Sequence, residues 1–305
     1  MNTLTMLRWI AALCGIGAAL LFATAFAQPA PGLPSADPVV ALTARHQALA
    51  AALAQSPFGL PLLVRSRDEG ARAEGEIVGI VAHPYATFAA AFATPRAFCD
   101  AAMLHPNVKG CTNAHVAGED RVLLNAGRKH YEPADRVYAQ TFVASTQQLG
   151  NRYLRVVLRA AEGPLDTRDY VFTLEAIPAG DATFIAVRYG YSASFASRTA
   201  TAGYLATAGS GRTGFSMTAA GTPARGVRGV VERNAMRHYL ALTSVLDTGD
   251  VPEVARAAAR LDRYYTLTDR FAAQRREFER GEYVAIKTRE LAEQRARDLG
   301  TGRGS

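Results

Sequence analysis

Between residues 113 and 195 the chain repeats one pattern six times: a short run rich in β-branched and aromatic residues, closed by a turn signal. The runs cover 113–116, 121–125, 136–145, 152–160, 170–177 and 183–195. Leu149-Gly150-Asn151, Glu162-Gly163-Pro164 and Ala179-Gly180-Asp181 punctuate the later ones. Links this short cannot accommodate a crossover helix, so neighbouring strands must run antiparallel, as a meander.

The strands alternate as well. In the run 152–160, Leu154, Val156 and Leu158 point one way and Tyr153, Arg155 and Arg159 the other. That is the pattern of a sheet with one dry face and one wet face. The dry face needs an apolar cover, and the segment 224–246 offers it. It has no proline after Pro223 and places Val227, Val231, Leu242 and Val245 at helical spacing.

Upstream, Asp37-Pro38 reads as an N-cap followed by a first-turn proline. Val39, Leu42, His46, Leu49 and Leu53 then form one helical stripe, which Ser56-Pro57 stops. His46 is expected to have a packing role there. A β-branched run over 76–82 ends at His83-Pro84, and two short helices are expected at 85–93 and 96–104. Beyond Gly249, Val254, Ala258, Leu261, Tyr265, Ala272 and Phe278 continue an amphipathic pattern to Gly281. Tyr283, Ile286 and Leu291 suggest one more helix before the glycine-rich tail.

This order, a strand, short helices, a long antiparallel meander and a long helix, resembles the helix-grip fold of the START-like (SRPBCC) superfamily. The resemblance spans about residues 65–246. It rests on that order, on Gly75-Glu-Ile-Val-Gly-Ile-Val-Ala-His-Pro84, and on Gly226-Val-Arg-Gly-Val-Val-Glu-Arg-Asn-Ala-Met-Arg-His-Tyr-Leu240. Phe98-Cys-Asp-Ala-Ala-Met-Leu-His-Pro-Asn-Val-Lys-Gly-Cys111 is similar to a segment of uncharacterised exported bacterial members. The expected fold is therefore α+β: a curved antiparallel sheet wrapped around a long C-terminal helix, with an N-terminal helix and a C-terminal helical extension. The parts are a signal peptide (1–27), a leader and first helix (28–64), the helix-grip domain (65–248) and the extension (249–305). The resemblance implies ligand binding or transfer as the commonest role, and the same superfamily hosts cyclase and hydratase chemistry.

The signal reading comes from Arg8, the apolar run from Trp9 to Phe22, and the small-x-small site Ala25-Phe26-Ala27 before Gln28. The expected location is periplasmic, with cleavage after Ala27. Cleavage removes one arginine and no acid, so the formal charge falls from +7 to +6. It also removes Cys14, leaving Cys99 and Cys111 to pair as a disulfide in an oxidising compartment. Two buried free thiols are the alternative. The basic excess is almost wholly arginine, and over 251–303 it is interspersed, with 12 basic and 9 acidic groups. That reads as a solvated helix surface, not a nucleic-acid patch. Contact of residues 251–299 with a membrane surface or a protein partner stays open.

No common enzyme template is present. Gly209-Ser210-Gly211 lacks the glycine-x-serine-x-glycine form, the glycines from 209 to 214 have no strand-to-helix context, and His105 and His115 show no metal-ligand spacing. No cofactor or metal is expected. The informative feature lies on the long helix, whose apolar stripe passes through Asn234 and His238. Buried polar groups need partners, so these two either bond to strand backbone or line a cavity and orient a polar end of an apolar ligand. On the last strand, Ile185, Val187, Tyr189, Tyr191 and Phe195 share a face, and Tyr189 and Tyr191 are candidates for a pocket floor. The expected ligand-binding set is Asn234, His238, Tyr189, Tyr191, Val231 and Leu242, and the ligand a hydrophobic small molecule or lipid. An enzyme would use His238 as acid or base; a scaffold would act through the C-terminal extension. Arginines 225, 228, 233 and 237 read as a solvated face, with Arg233 near enough to its boundary to pair with a strand carboxylate such as Glu175.

Overall fold

The computed structural model describes residues 37–206, 211–275 and 277–301. The expected signal peptide, the leader to Ala36, Cys14, and Gly209 and Ser210 lie outside them. Helix α1 (Pro38–Ala54) begins as its sequence dictates, with the Asp37 carboxylate accepting from the Val39 amide at 2.9 Å. There follow β1 (Leu62–Glu69), β2 (Arg72–Val81), α2 (Tyr85–Phe92), α3 (Pro95–Ala102), β3 (Val108–Val116) and β4 (Glu119–Ala126). Next come β5 (Tyr138–Gln148), β6 (Leu154–Gly163), β7 (Thr167–Ala179) and β8 (Ala182–Ala193). Helices α4 (Phe195–Ala206), α5 (Gly226–Asp247), α6 (Glu253–Asp269), α7 (Ala272–Arg275) and α8 (Arg280–Thr301) close the chain.

The eight strands form one antiparallel sheet in the order β1-β2-β8-β7-β6-β5-β4-β3. The meander thus closes back on the first hairpin, since β8 pairs with β2. Helix α5 lies across β2, β1 and β8. This is the helix-grip architecture, and glycine makes its closest approach feasible: a Cβ on Gly75 would stand 2.5 Å from the Val231 carbonyl oxygen. Replacing Gly75 by alanine is expected to push α5 off the sheet and cost about 1–3 kcal/mol, read by urea denaturation.

Much of the inner face is dry: Ile77, Leu154, Val156, Leu158, Phe172, Leu174, Ile185 and Val187 are all buried with Leu240 and Leu242 of α5. The outer face is not uniformly wet, contrary to the strand alternation. Helix α1 lays Leu42 and Leu53 over Val78, Tyr153, Ile177 and Phe184, and Tyr153 is 1% exposed. His46 stacks on Phe184 with ring centroids 4.6 Å apart, the packing role its stripe implied. Phe195, expected to face inward, is 87% exposed because β8 ends at Ala193 and the chain turns into α4.

Cys99 of α3 and Cys111 of β3 form the expected disulfide. It closes a loop of 12 residues, so the Cys99→Ser/Cys111→Ser double variant is expected to lose about 2–3 kcal/mol by the loop-entropy argument, read as a lower urea midpoint.

The C-terminal helices belong to the same core. Leu261, Tyr264, Leu267, Phe271, Phe278 and Tyr283 are buried in one cluster with α5 and the sheet. Helix α6 packs on α5, and α8 on α6 and edge strand β3. Gln294 of α8 accepts the otherwise free Cys111 amide at 3.0 Å, which blunts that edge. Because helices cover its outer side too, α5 is buried nearly all round. Arg233 and Arg237 are therefore 5% and 6% exposed and not part of a solvated face. Arg233 donates to the Thr213 carbonyl at 3.0 Å, while Glu175 accepts instead from the Tyr153 hydroxyl at 2.7 Å. Among the described residues, no helix is long and apolar enough to cross a membrane, and no cluster of His, Cys, Asp and Glu suits a metal ion.

Candidate functional site

The inner face changes character toward the β8 end. Register pairs Phe172 with Tyr189, and a bulge between Arg168 and Val171, with Asp169 at φ 54°, offsets the rungs at the start of β7. From Tyr170 on the alternation is regular, and Tyr170 shares the inner face with Phe172 and Leu174. Its ring stacks on Tyr191 at 5.3 Å and lies 6.2 Å from Tyr189. Tyr189 is 6.0 Å from Tyr191 and 5.4 Å from the imidazole of His238, which descends from α5. His238 also meets Phe172 at 5.2 Å and His105 at 5.9 Å. Phe142 flanks Tyr170 at 6.4 Å, and Phe98 packs on Phe172 at 5.0 Å.

The structure thus brings His238, Tyr189 and Tyr191 into one aromatic constellation. Asn234, one helical turn from His238, accepts from Arg237 Nη1 at 2.7 Å. These four face the sheet–helix interior, yet each is only half-buried, as are His105 and Leu124 beside them. Val231 and Leu242 behave differently. They are 0% and 1% exposed and form packed wall, with Val231 at the contact to Gly75.

Burial raises the Tyr189 phenol well above its ordinary value, outweighing the opposing effect of Arg237, and pushes Tyr170 up to about 12; Tyr191 is raised by the same cause. All three stay protonated at neutral pH, so they offer hydrogen bonds and do not act as bases. Tyr170 spends one of these on Thr167 Oγ1 at 2.8 Å.

A denser polar cluster lies on the far side of Arg237. Glu277, between α7 and α8, accepts from Lys129 Nζ at 2.6 Å, Arg212 Nη1 at 2.7 Å and Arg237 Nη2. Burial alone would raise the Glu277 carboxyl, but the three cations overcome it and hold the group below its ordinary range. Burial pushes Lys129 down to about 8. At the N-terminal end of α5, the buried Glu232 carboxylate accepts from the Phe215 amide at 2.6 Å, the Ser216 amide at 2.9 Å, Ser216 Oγ at 2.5 Å and Ser66 Oγ. It ties the segment before α5 to edge strand β1. An open crevice of about 590 Å3 runs there, lined by Val64, Ser66, Ser216, Met217 and Arg228 among others.

Sequence reasoning missed His105 and Arg237. Arg237 lies one residue from His238 and three from Asn234, but the buried carboxylate that recruits it arrives from 40 residues downstream, which no local pattern reveals.

No protein-family model matches the sequence, and no curated protein matches it. Solved structures with a similar fold include human StAR-related lipid transfer protein 5, at 12% identity and TM-score 0.35, covering 68% of this chain and 97% of that one. Ara h 8.0201 matches at 9% identity and TM-score 0.33, over 57% of this chain and 97% of its own. A truncated norcoclaurine synthase from Thalictrum flavum matches at 15% identity and TM-score 0.31, over 46% and 91%. Likeness at this level leaves the choice between binding and catalysis to the residues of the chain itself.

Proposed function

We propose that this protein binds a hydrophobic small molecule or lipid between the sheet and α5. The observation that supports it is the partial exposure of Tyr189, Tyr191, Asn234 and His238 on an inner face that is otherwise closely packed and apolar. An apolar interior with a few convergent hydroxyl, amide and imidazole groups suits a largely apolar ligand with one oxygen-bearing end. The protonated tyrosines favour holding such a ligand over abstracting its proton.

The test is organic-solvent extraction of the purified protein, with native mass spectrometry of the intact chain. A co-purifying apolar molecule is expected, as is uptake of added dodecanol. His238→Leu is expected to weaken dodecanol binding about tenfold by removing one hydrogen-bonding group, and to leave dodecane binding unchanged. A protein that emerges empty and takes up neither probe would refute the reading. Conversion of a bound ligand that His238→Leu abolishes without loss of binding would replace it by an acid–base enzyme.

Export to the periplasm is part of the same proposal, supported by the pattern of residues 1–27 and by the Cys99–Cys111 disulfide, which an oxidising compartment maintains. Recovery from the periplasmic fraction with an N-terminus at Gln28 is the expected result.

A further inference from the structure

The two edges of the sheet differ. Strand β3 is covered by α8, whereas β1 borders the open crevice of about 590 Å3, a space far larger than a packing gap. Register fixes what β1 offers there. The Ile80 amide donates to the Pro61 carbonyl at 2.9 Å, one place before the Leu62–Gly79 pair. Arg65 and Arg67 therefore bond to β2 through their main chain, while the N–H and C=O groups of Val64, Ser66 and Asp68 turn away from it. Ser56 Oγ takes the Leu62 carbonyl at 2.7 Å, which closes the start of this row. Residues 64–67 line the crevice in succession. An outward row of main-chain donors and acceptors beside open space is a template for one more strand.

The side chains say what that strand carries. On the outer face, Arg65 stands opposite Glu76 and Arg67 opposite Glu74. Arg67 takes Glu74 at 3.0 Å, but Glu76 is held by Arg45 at 2.9 Å and Arg188 at 3.0 Å, so exposed Arg65 has no carboxylate among the described residues. Arg228 adds a third guanidinium to the lining and donates Nε to Ser66 Oγ at 2.9 Å. Neighbours across a ladder favour opposite charge, so acids belong opposite Arg65 and Arg67. The residues between those acids turn inward, toward Val64 and toward Met217, which is 60% exposed, and are apolar by the same logic. A second copy of this chain does not fit: antiparallel pairing centred on Ser66 would set Arg65 against Arg67 twice.

We propose that β1 binds an extended acidic peptide segment of another protein, added antiparallel as a further strand of the sheet. Its carboxylates, at alternate positions, meet Arg65 and Arg67. The apolar residues between them bond through their main chain to Val64, Ser66 and Asp68. The site lies outside the interior between sheet and α5, and does not depend on what that interior holds.

The full-length chain is titrated into a fluorescein-labelled seven-residue peptide of alternating glutamate and valine, followed by fluorescence anisotropy. Binding is expected, and a peptide with lysine in place of glutamate is expected not to bind. N-methylation of the valines removes the N–H groups that would donate to β1 and is expected to weaken binding at least tenfold, whereas N-methylation of the glutamates, whose N–H groups face water, leaves it nearly unchanged. The surface double variant Arg65→Glu/Arg67→Glu is expected to weaken binding of the glutamate peptide about tenfold. In hydrogen exchange, the amides of Val64, Ser66 and Asp68 are expected to gain protection when peptide is added. The proposal is overturned if the glutamate peptide does not bind, the arginines then serving only to keep the edge from pairing. Binding that ignores valine N-methylation would be charge attraction without an added strand, and overturns it equally. A dimer in sedimentation whose β1 amides are protected without peptide would give the edge to a second copy and sink the peptide.

Discussion

Replacing Glu290 by alanine is expected to lower the free energy of unfolding by about 3–5 kcal/mol, the usual cost of breaking a buried ion pair from one side. Glu290 of α8 is completely buried between two lysines, with Lys109 Nζ at 2.8 Å and Lys287 Nζ at 2.5 Å. Those lysine side chains are 0% and 1% exposed. Backbone carbonyls take their remaining protons: Pro106 and Lys129 for Lys109, His105 and Val108 for Lys287. Burial pushes the Lys287 ammonium down to about 8 even with Glu290 beside it, so two ammonium groups with no carboxylate have nowhere to place their charge. Urea denaturation followed by circular dichroism reads the loss. The triple replacement Lys109→Met/Lys287→Met/Glu290→Leu is the instructive control: with no charge left to strand, it is expected to be near neutral or stabilising. A large loss in the triple variant and a small one in Glu290→Ala would show that packing, not charge, anchors α8.

Deleting residues 251–305 is expected to leave a chain that does not fold. The deletion removes Leu261, Tyr264, Leu267, Phe271, Phe278 and Tyr283 from the core they share with α5. At roughly 1.5–3 kcal/mol for each large apolar side chain, that burial matches or exceeds the ~5–15 kcal/mol by which a domain is stable. The deletion also takes away Glu277, stranding Arg237, and uncovers the outer side of α5. Tryptophan is no useful reporter here, since the single one is Trp9 in the expected signal segment. Amide dispersion in NMR or cooperative thermal melting decides instead. A truncated protein that melts cooperatively and still takes up dodecanol would show that the extension is separable after all.

That second expectation is where reading by sequence and by structure part company. The amphipathic residues Leu261 and Phe278 declare that the extension has an apolar face, but not what the face covers. The structure puts it on α5 and on edge strand β3. The same gap explains Arg233 and Arg237. On an isolated α5 their sector is solvent, and only the arrival of α6 and the 277–283 segment turns it into interior.

The site shows the division more finely. Asn234 and His238 were legible because helix geometry fixes which residues share a stripe, whatever the partner. Tyr189 and Tyr191 were legible because strand alternation is equally local. Tyr170, Phe172 and Leu174 share one face of β7 by the same alternation, but which way that face turns was not assignable from sequence, since pairing with β6 and β8 decides it. Phe195 was misassigned because alternation does not say where a strand ends. His105 lies in a connection without period, so nothing local aims it at His238.

Periodicity, caps and turns are short-range, and they determined the antiparallel meander, the first helix at Asp37-Pro38, the long helix, and the two interior polar groups it carries. Which faces meet is long-range. The closure of β8 on β2, the enclosure of α5 on both sides, the joining of Lys109 to Glu290 across 181 residues and the gathering of three cations on Glu277 were decided only by tertiary packing. The physical reason is that burial sets the energy of a charge or a cavity, and burial belongs to the assembled elements and not to any one of them.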